Sequence, residues 1–214
     1  INATLPILAA CILSNNIKNW TRGEVLRDIK FYFLLPAVLC PPFLITGIFI
    51  NQIYLFENIN WGISYLAPSF TAYAIFTVLS LQVSGYLIDK FSAIKILPFY
   101  LVPMIIGLIF SILFKFALSP VLFFSLIAIT NGTANVLMTS TWSEIYGTKH
   151  IGAIRSITVS LMVFSTSLSP ILFGFLIDSG LSSKDILSIM LVYGLFSIFF
   201  LLIKIKNYKP IITS

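Results

Sequence analysis

Charge is scarce in this sequence. Lys, Arg, Asp and Glu make up 9% of its 214 residues, where a water-soluble domain carries about 25%. So few charges cannot cover a soluble surface, and this excludes soluble enzymes, nucleic-acid binders and disordered regulators together. Histidine occurs once, at His150, and cannot form a metal site alone. There is no H-E-x-x-H, no phosphate-cradling G-x-x-x-x-G-K-[ST] and no G-x-S-x-G. The seven acids are scattered, with no D-x-x-D type cluster to hold Mg²⁺. An integral membrane enzyme acting on lipid or isoprenoid is therefore the weaker alternative, beside a non-catalytic membrane assembly subunit. No catalytic residue, metal or cofactor is expected. The two cysteines, Cys11 and Cys40, lie in apolar runs and read as small buried hydrophobes, not a disulfide framework.

What the sequence has in abundance is apolar surface: 58% of residues and a mean hydropathy of +1.02. A spanning helix needs about 20 mostly apolar residues. Six stretches qualify, at roughly 31–56, 64–88, 95–114, 118–142, 153–178 and 186–203. Residues 1–14 have no basic leader and read as the end of a truncated transmembrane helix, so the chain is expected to be a fragment. A linker at 15–30, a six-helix domain at 31–205 and a tail at 206–214 complete the expected organisation. Prolines 36, 41, 42, 98, 103 and 170 fall inside spans. Membrane helices tolerate this when neighbours re-satisfy the freed carbonyls.

The basic residues predict the topology. If all six spans cross, every one of the 13 Lys and Arg residues except Lys115 and Lys184 lies on one side of the membrane. By the positive-inside rule that side is cytoplasmic, and both ends of the six-span unit face it. The net charge of +6 is then a membrane feature, and no nucleic-acid partner is expected. Polar residues are distributed unevenly. The third span holds only Ser111, and the sixth only Ser188 and Ser197, while the others are richer in hydroxyls and amides. A helix facing lipid all round is bare, and one beside a cavity can carry polar groups. The order predicts two three-helix units, each ending in a peripheral helix. Gly85-Tyr-Leu-Ile-Asp89 and Gly174-Phe-Leu-Ile-Asp178 end corresponding spans of the two units. With three spans per unit the second copy is inverted, a construction used by secondary transporters.

The loop after the second span carries a resemblance. Gly85-Tyr-Leu-Ile-Asp89-Lys90-Phe-Ser92-Ala-Ile-Lys95 resembles G-x-x-x-D-[RK]-x-G-[RK]-[RK] of the major facilitator superfamily. It departs at Ser92, Ala93 and Ile94, like that family's second copy of the loop. Trp142 to Arg155, with Glu144, Gly147 and Gly152, is similar to the family's E-x-x-G…G-x-x-[RK] turn, and Trp20 to Asp28 is similar to its entry segment. The resemblance implies an all-α membrane protein. Its six-helix bundle would be two inverted three-helix repeats, the carboxyl-terminal half of a twelve-helix transporter. It further implies a bacterial, monocarboxylate-porter-like permease of the inner (plasma) membrane, moving a small organic acid or other solute by alternating access. Its partners would be the solute, the lipid bilayer and a missing amino-terminal six-helix half. Asp89 would dock on that half as a conformational latch.

Particular residues follow. Asn131 and Asn135, four apart, share a helix face that Thr139 and Trp142 continue. They are candidates for contact with solute, as are Tyr73, Thr77 and Gln52. Gly85, allowing close helix packing, joins Asp89, Lys90, Glu144 and Arg155 as latch candidates, with Glu144 and Arg155 placed to pair across their turn. Any membrane-buried charge for an anionic solute is expected in the missing half. The hydroxyls from Ser165 to Ser169 are expected to serve the carbonyl freed by Pro170.

Overall fold

A computed structural model of the chain describes residues 19–58, 63–114 and 118–205. The expected helix remnant at 1–14, Cys11, Lys18, Lys115 and the tail at 206–214 lie outside the described residues. The helices in chain order are α1 (Arg22–Arg27), α2 (Ile29–Ile50), α3 (Gln52–Asn58), α4 (Leu66–Phe91), α5 (Ala93–Ile96), α6 (Val102–Leu113), α7 (Ser119–Tyr146), α8 (Ile151–Asp178) and α9 (Ser183–Ile205). Among the described residues no strand occurs. Five helices (α2, α4, α7, α8 and α9) are long and apolar enough to cross a bilayer. The protein is an all-helical, multi-pass membrane protein.

Local chemistry sets the helix ends. Asp28 caps α2, its carboxylate accepting from the Lys30 N–H at 3.1 Å. In α1 the Glu24 carboxylate takes both the N–H (2.7 Å) and the hydroxyl (2.9 Å) of Thr21. Pro120 in the first turn of α7 fits a position whose N–H has no helical partner. Gly147, with φ +83°, ends α7 in a conformation that only glycine adopts freely.

The expected third span is not a single helix. Its α6 part has 12 residues, about 18 Å of rise against a hydrocarbon core of about 30 Å. Before it, residues 97–101 form turns that separate it from α5. Pro98 lies in those turns, and Pro103 stands in the first turn of α6, where an N–H has no helical partner. The Met104 N–H donates to the Thr130 hydroxyl of α7 at 3.1 Å instead of continuing a ladder. A related repair serves α2. Pro41 leaves the Ala37 carbonyl without its helical donor, and the Tyr100 hydroxyl donates to that carbonyl.

Helices α2 and α7 are the most enclosed of the long helices, and α4 and α8 the least. The most extensive packing is α4 on α7. Next come α6 on α7, α8 on α2, α9 on α2 and α6 on α9. Ser69, Ser80, Ser84 and Ile88 are the buried positions of α4. Thr158, Ser165, Ser169, Ile154 and Phe173 are those of α8. Each flanking helix thus turns small hydroxyl side chains toward its neighbour, which lets backbones approach. The hydroxyls before Pro170 go elsewhere than expected. Thr166 and Ser167 donate to the Val163 carbonyl, and Ser169 donates across to the Phe43 carbonyl of α2 at 2.5 Å.

Segments far apart in the chain meet at one end of the bundle. The Trp20 N–H donates to the Tyr146 carbonyl at 3.0 Å, and the Lys149 N–H to Asn19 Oδ1 at 3.2 Å. Glu144 reaches residues 92–94. This end carries Lys90, Lys95, Lys149 and Arg155. At the opposite end, the Tyr54 hydroxyl donates to the Leu181 carbonyl at 2.9 Å.

Candidate functional site

A cavity of about 160 Å³ lies between α2, α7 and α8. From α7 come Asn131, Ala134, Asn135, Met138, Thr139 and Trp142, and from α8 Arg155, Thr158, Val159 and Met162. Val38, Pro41 and Pro42 of α2 form the third wall. The spacing of the α7 residues is the reason they converge: 131, 135, 138, 139 and 142 fall on one helical face. Asn131 lies fifteen residues before the end of α7, about 22 Å at helical rise, and Arg155 four residues into α8, about 6 Å. The cavity therefore runs from near the middle of the bundle toward its basic end.

Its polar groups are only partly engaged by the protein. The Asn131 side-chain amide donates to the Tyr73 hydroxyl at 2.8 Å, and that of Asn135 to the Asn131 carbonyl at 3.1 Å. Each retains an amide oxygen and a further N–H. Arg155 is exposed on the cavity wall. One wall is held in place by an aromatic chain. The Trp142 ring stacks on Tyr146 at 5.9 Å and meets Phe31 at 5.5 Å, and Tyr146 meets Trp20 at 5.5 Å. The Tyr146 hydroxyl donates to Asp28 Oδ2 at 3.1 Å. The entry segment 19–28 is thus tied to the cavity wall through Tyr146.

The other expected solute contacts lie elsewhere. Tyr73 and Thr77 belong to the packing between α4 and α7. The Tyr73 ring sits against Phe49 and Phe124, and the Thr77 hydroxyl donates to the Tyr73 carbonyl. Only the Tyr73 hydroxyl serves the site, as acceptor for Asn131. Gln52 is in α3, away from this cavity, with its Oε1 buried and unpartnered.

The expected latch is rearranged. Glu144 does not pair with Arg155. Its Oε1 accepts from the Ala93 N–H at 2.7 Å, and its Oε2 from the Ser92 hydroxyl at 2.6 Å and the Ile94 N–H at 3.2 Å. The carboxylate joins the N–H groups that open α5, where the helix dipole favours an anion. Ser92 has φ +75° and ψ 143°, a region costly for any residue but glycine. Its hydroxyl bond to Glu144 helps hold it there. Asp89 is exposed, with no hydrogen-bond partner for its carboxylate among the described residues, and Lys90 Nζ sits 5.3 Å from the Phe91 ring centre. Gly85 makes no close packing: a Cβ there would meet nothing within 4 Å, and the same holds for Gly174.

A larger crevice of about 680 Å³ between α2, α8 and α9 is almost wholly apolar, bordered by Phe43, Phe164, Phe175 and Tyr193. It has little with which to orient a polar solute. The smaller cavity holds the chemistry: one guanidinium, two carboxamides and two hydroxyls. Arg155 as part of its wall is the residue that sequence reasoning missed. The i, i+3 and i+7 spacing of Arg155, Thr158 and Met162 was the available signal. The sequence matches no family model and no curated protein.

Proposed function

We propose that this chain is the carboxyl-terminal part of a secondary transporter that carries a small solute by alternating access. The observation that carries the reading is the cavity lined by Asn131, Asn135, Thr139 and Arg155 between the membrane-length helices α2, α7 and α8. Polar side chains among membrane helices are costly unless they pair or face water, so a polar cavity reaching mid-bundle favours a solute path.

The packing pattern supports an inverted repeat. Let α2 exchange with α7, α4 with α8, and α6 with α9. The five most extensive helix pairings then map onto one another: α4–α7 onto α8–α2, α6–α7 onto α9–α2, and α6–α9 onto itself. In this reading α5 and α6 together make the third crossing, broken by its prolines. The open space at Gly85 and Gly174, equivalent positions in the two units, fits faces that meet an amino-terminal half. The basic end is then cytoplasmic, in a bacterial inner membrane, and the Glu144 contact with residues 92–94 is a latch that forms and breaks as the halves rock.

Uptake by the full-length protein in lipid vesicles tests this. Asn131→Leu and Asn135→Leu, each inserted normally, should reduce uptake at least about tenfold, since each leaves apolar bulk where a solute needs an amide. Undiminished uptake in both would remove the cavity from the path.

A further inference from the structure

We propose that the apolar crevice between α2, α8 and α9 is a second binding site, for an uncharged lipophile that carries one hydrogen-bond acceptor. The inference stands apart from the transport reading and from the polar cavity. The crevice has a volume of about 680 Å³, within the range of about 300–1,000 Å³ typical of ligand pockets, which are lined mostly by apolar groups with a few placed polar ones. Two of its lining residues carry hydroxyls, Ser165 of α8 and Tyr193 of α9. Neither hydroxyl has a hydrogen-bond partner among the described residues. This singles Ser165 out on its helix, because Ser156, Thr158, Ser160, Thr166, Ser167 and Ser169 each donate to a carbonyl. Ser165 is 9% exposed, and a hydroxyl so enclosed is costly to leave unbonded.

Depth and lining define the occupant. At helical rise Ser165 lies about 20 Å from the α8 end at Asp178, and Tyr193 about 15 Å from the α9 start at Ser183. A short turn joins those two ends, so the two hydroxyls stand at similar depth, near the middle of their helices. The Tyr193 ring meets Phe43 edge-on at 5.8 Å, which fixes its position. A phospholipid keeps its headgroup at the bilayer surface, and its hydrocarbon tail brings no acceptor to mid-depth. No charged residue is among those lining the crevice. An ion would lose its hydration there with nothing in return, which leaves neutral molecules that dissolve in the bilayer. In surroundings this apolar a hydroxyl–carbonyl bond is stronger than in water, and it distinguishes a ketone from an alkane of the same size. An apolar cavity of about 150 Å³ holds benzene, so the crevice takes a body of about a dozen carbon atoms or more.

The test uses the full-length protein in lipid vesicles and a photoactivatable, alkyne-tagged long-chain methyl ketone, with the labelled residues read by peptide mass spectrometry. Saturable labelling should fall on the crevice faces of α2, α8 and α9. Unlabelled dodecanone should displace the ketone roughly tenfold better than dodecane. Ser165→Ala and Tyr193→Phe should each weaken its binding by about threefold to tenfold, the scale of one neutral hydrogen bond. The melting temperature should hold in both variants, since neither hydroxyl bonds within the fold. Equal displacement by dodecanone and dodecane would assign the crevice to lipid chains and overturn the inference. Labelling that never saturates, or that misses these helices because other protein covers them, would overturn it as well. So would full binding in both variants. Uptake does not enter the test, so a failure of the transport reading leaves this inference standing.

Discussion

The helix pairs α4–α7 and α2–α8 use the same device with different outcomes. Each places a glycine of the inner helix against the flanking helix. In α4–α7 a Cβ added at Gly132 would collide with the Ser80 hydroxyl and the Thr77 backbone carbonyl. The backbones themselves are in contact, and Ser80 adds a hydrogen bond to the Ala128 carbonyl at 3.3 Å. In α2–α8 a Cβ added at Gly47 would meet the Phe173 ring, its nearest atom at 2.5 Å. There an aromatic side chain, packed also on Phe43 at 6.1 Å, stands between the helices. Both cavities described above border this second pair. Small-residue contact closes one pair, and a ring holds the other ajar, so the candidate solute site lies beside the looser pair.

Substitutions can break this contrast. The largest effect is expected for Gly132→Ala, because backbone cannot move aside. It should destabilise the purified protein by about 1–3 kcal/mol, as overpacked cores do, with a lowered melting temperature. Glu144→Gln comes next. It weakens three hydrogen bonds to a carboxylate and should cost about 1–3 kcal/mol, seen in the melt and as increased protease cleavage near residues 92–94. Gly47→Ala should cost less, about 0.5–1.5 kcal/mol, since the Phe173 ring can turn at a rotamer penalty of that size. A melt for Gly47→Ala as low as that for Gly132→Ala would erase the distinction. The smallest effect is expected for Ser92→Gly. Relief of the positive φ opposes loss of the hydroxyl bond to Glu144, and the net change should stay within about 0.5 kcal/mol.

The long apolar runs of α2, α4, α7, α8 and α9 were readable because length and composition alone decide them. The face shared by Asn131, Asn135, Thr139 and Trp142 was readable because a helix fixes that periodicity. The broken third span was not. Pro98 and Pro103 fit or not according to where a helix starts, and the Thr130 hydroxyl that takes the first-turn N–H of Met104 comes from another helix. The partner of Glu144 was equally hidden. Proximity in the chain favoured Arg155, but folding brings residues 92–94, about fifty positions away, under the carboxylate. With Glu144 engaged there, Arg155 is left to the cavity, a consequence visible only once α7 and α8 are placed side by side.

The proposed arrangement has the chain crossing the membrane six times, with its basic segments gathered on one face. Single cysteines at Lys90, Lys149 and Lys184, in a background with Cys11 and Cys40 replaced, test it through labelling by a membrane-impermeant thiol reagent in sealed vesicles. The account predicts that Lys90→Cys and Lys149→Cys react from the same side and Lys184→Cys from the other. Labelling of Lys90→Cys and Lys149→Cys from opposite sides would contradict it.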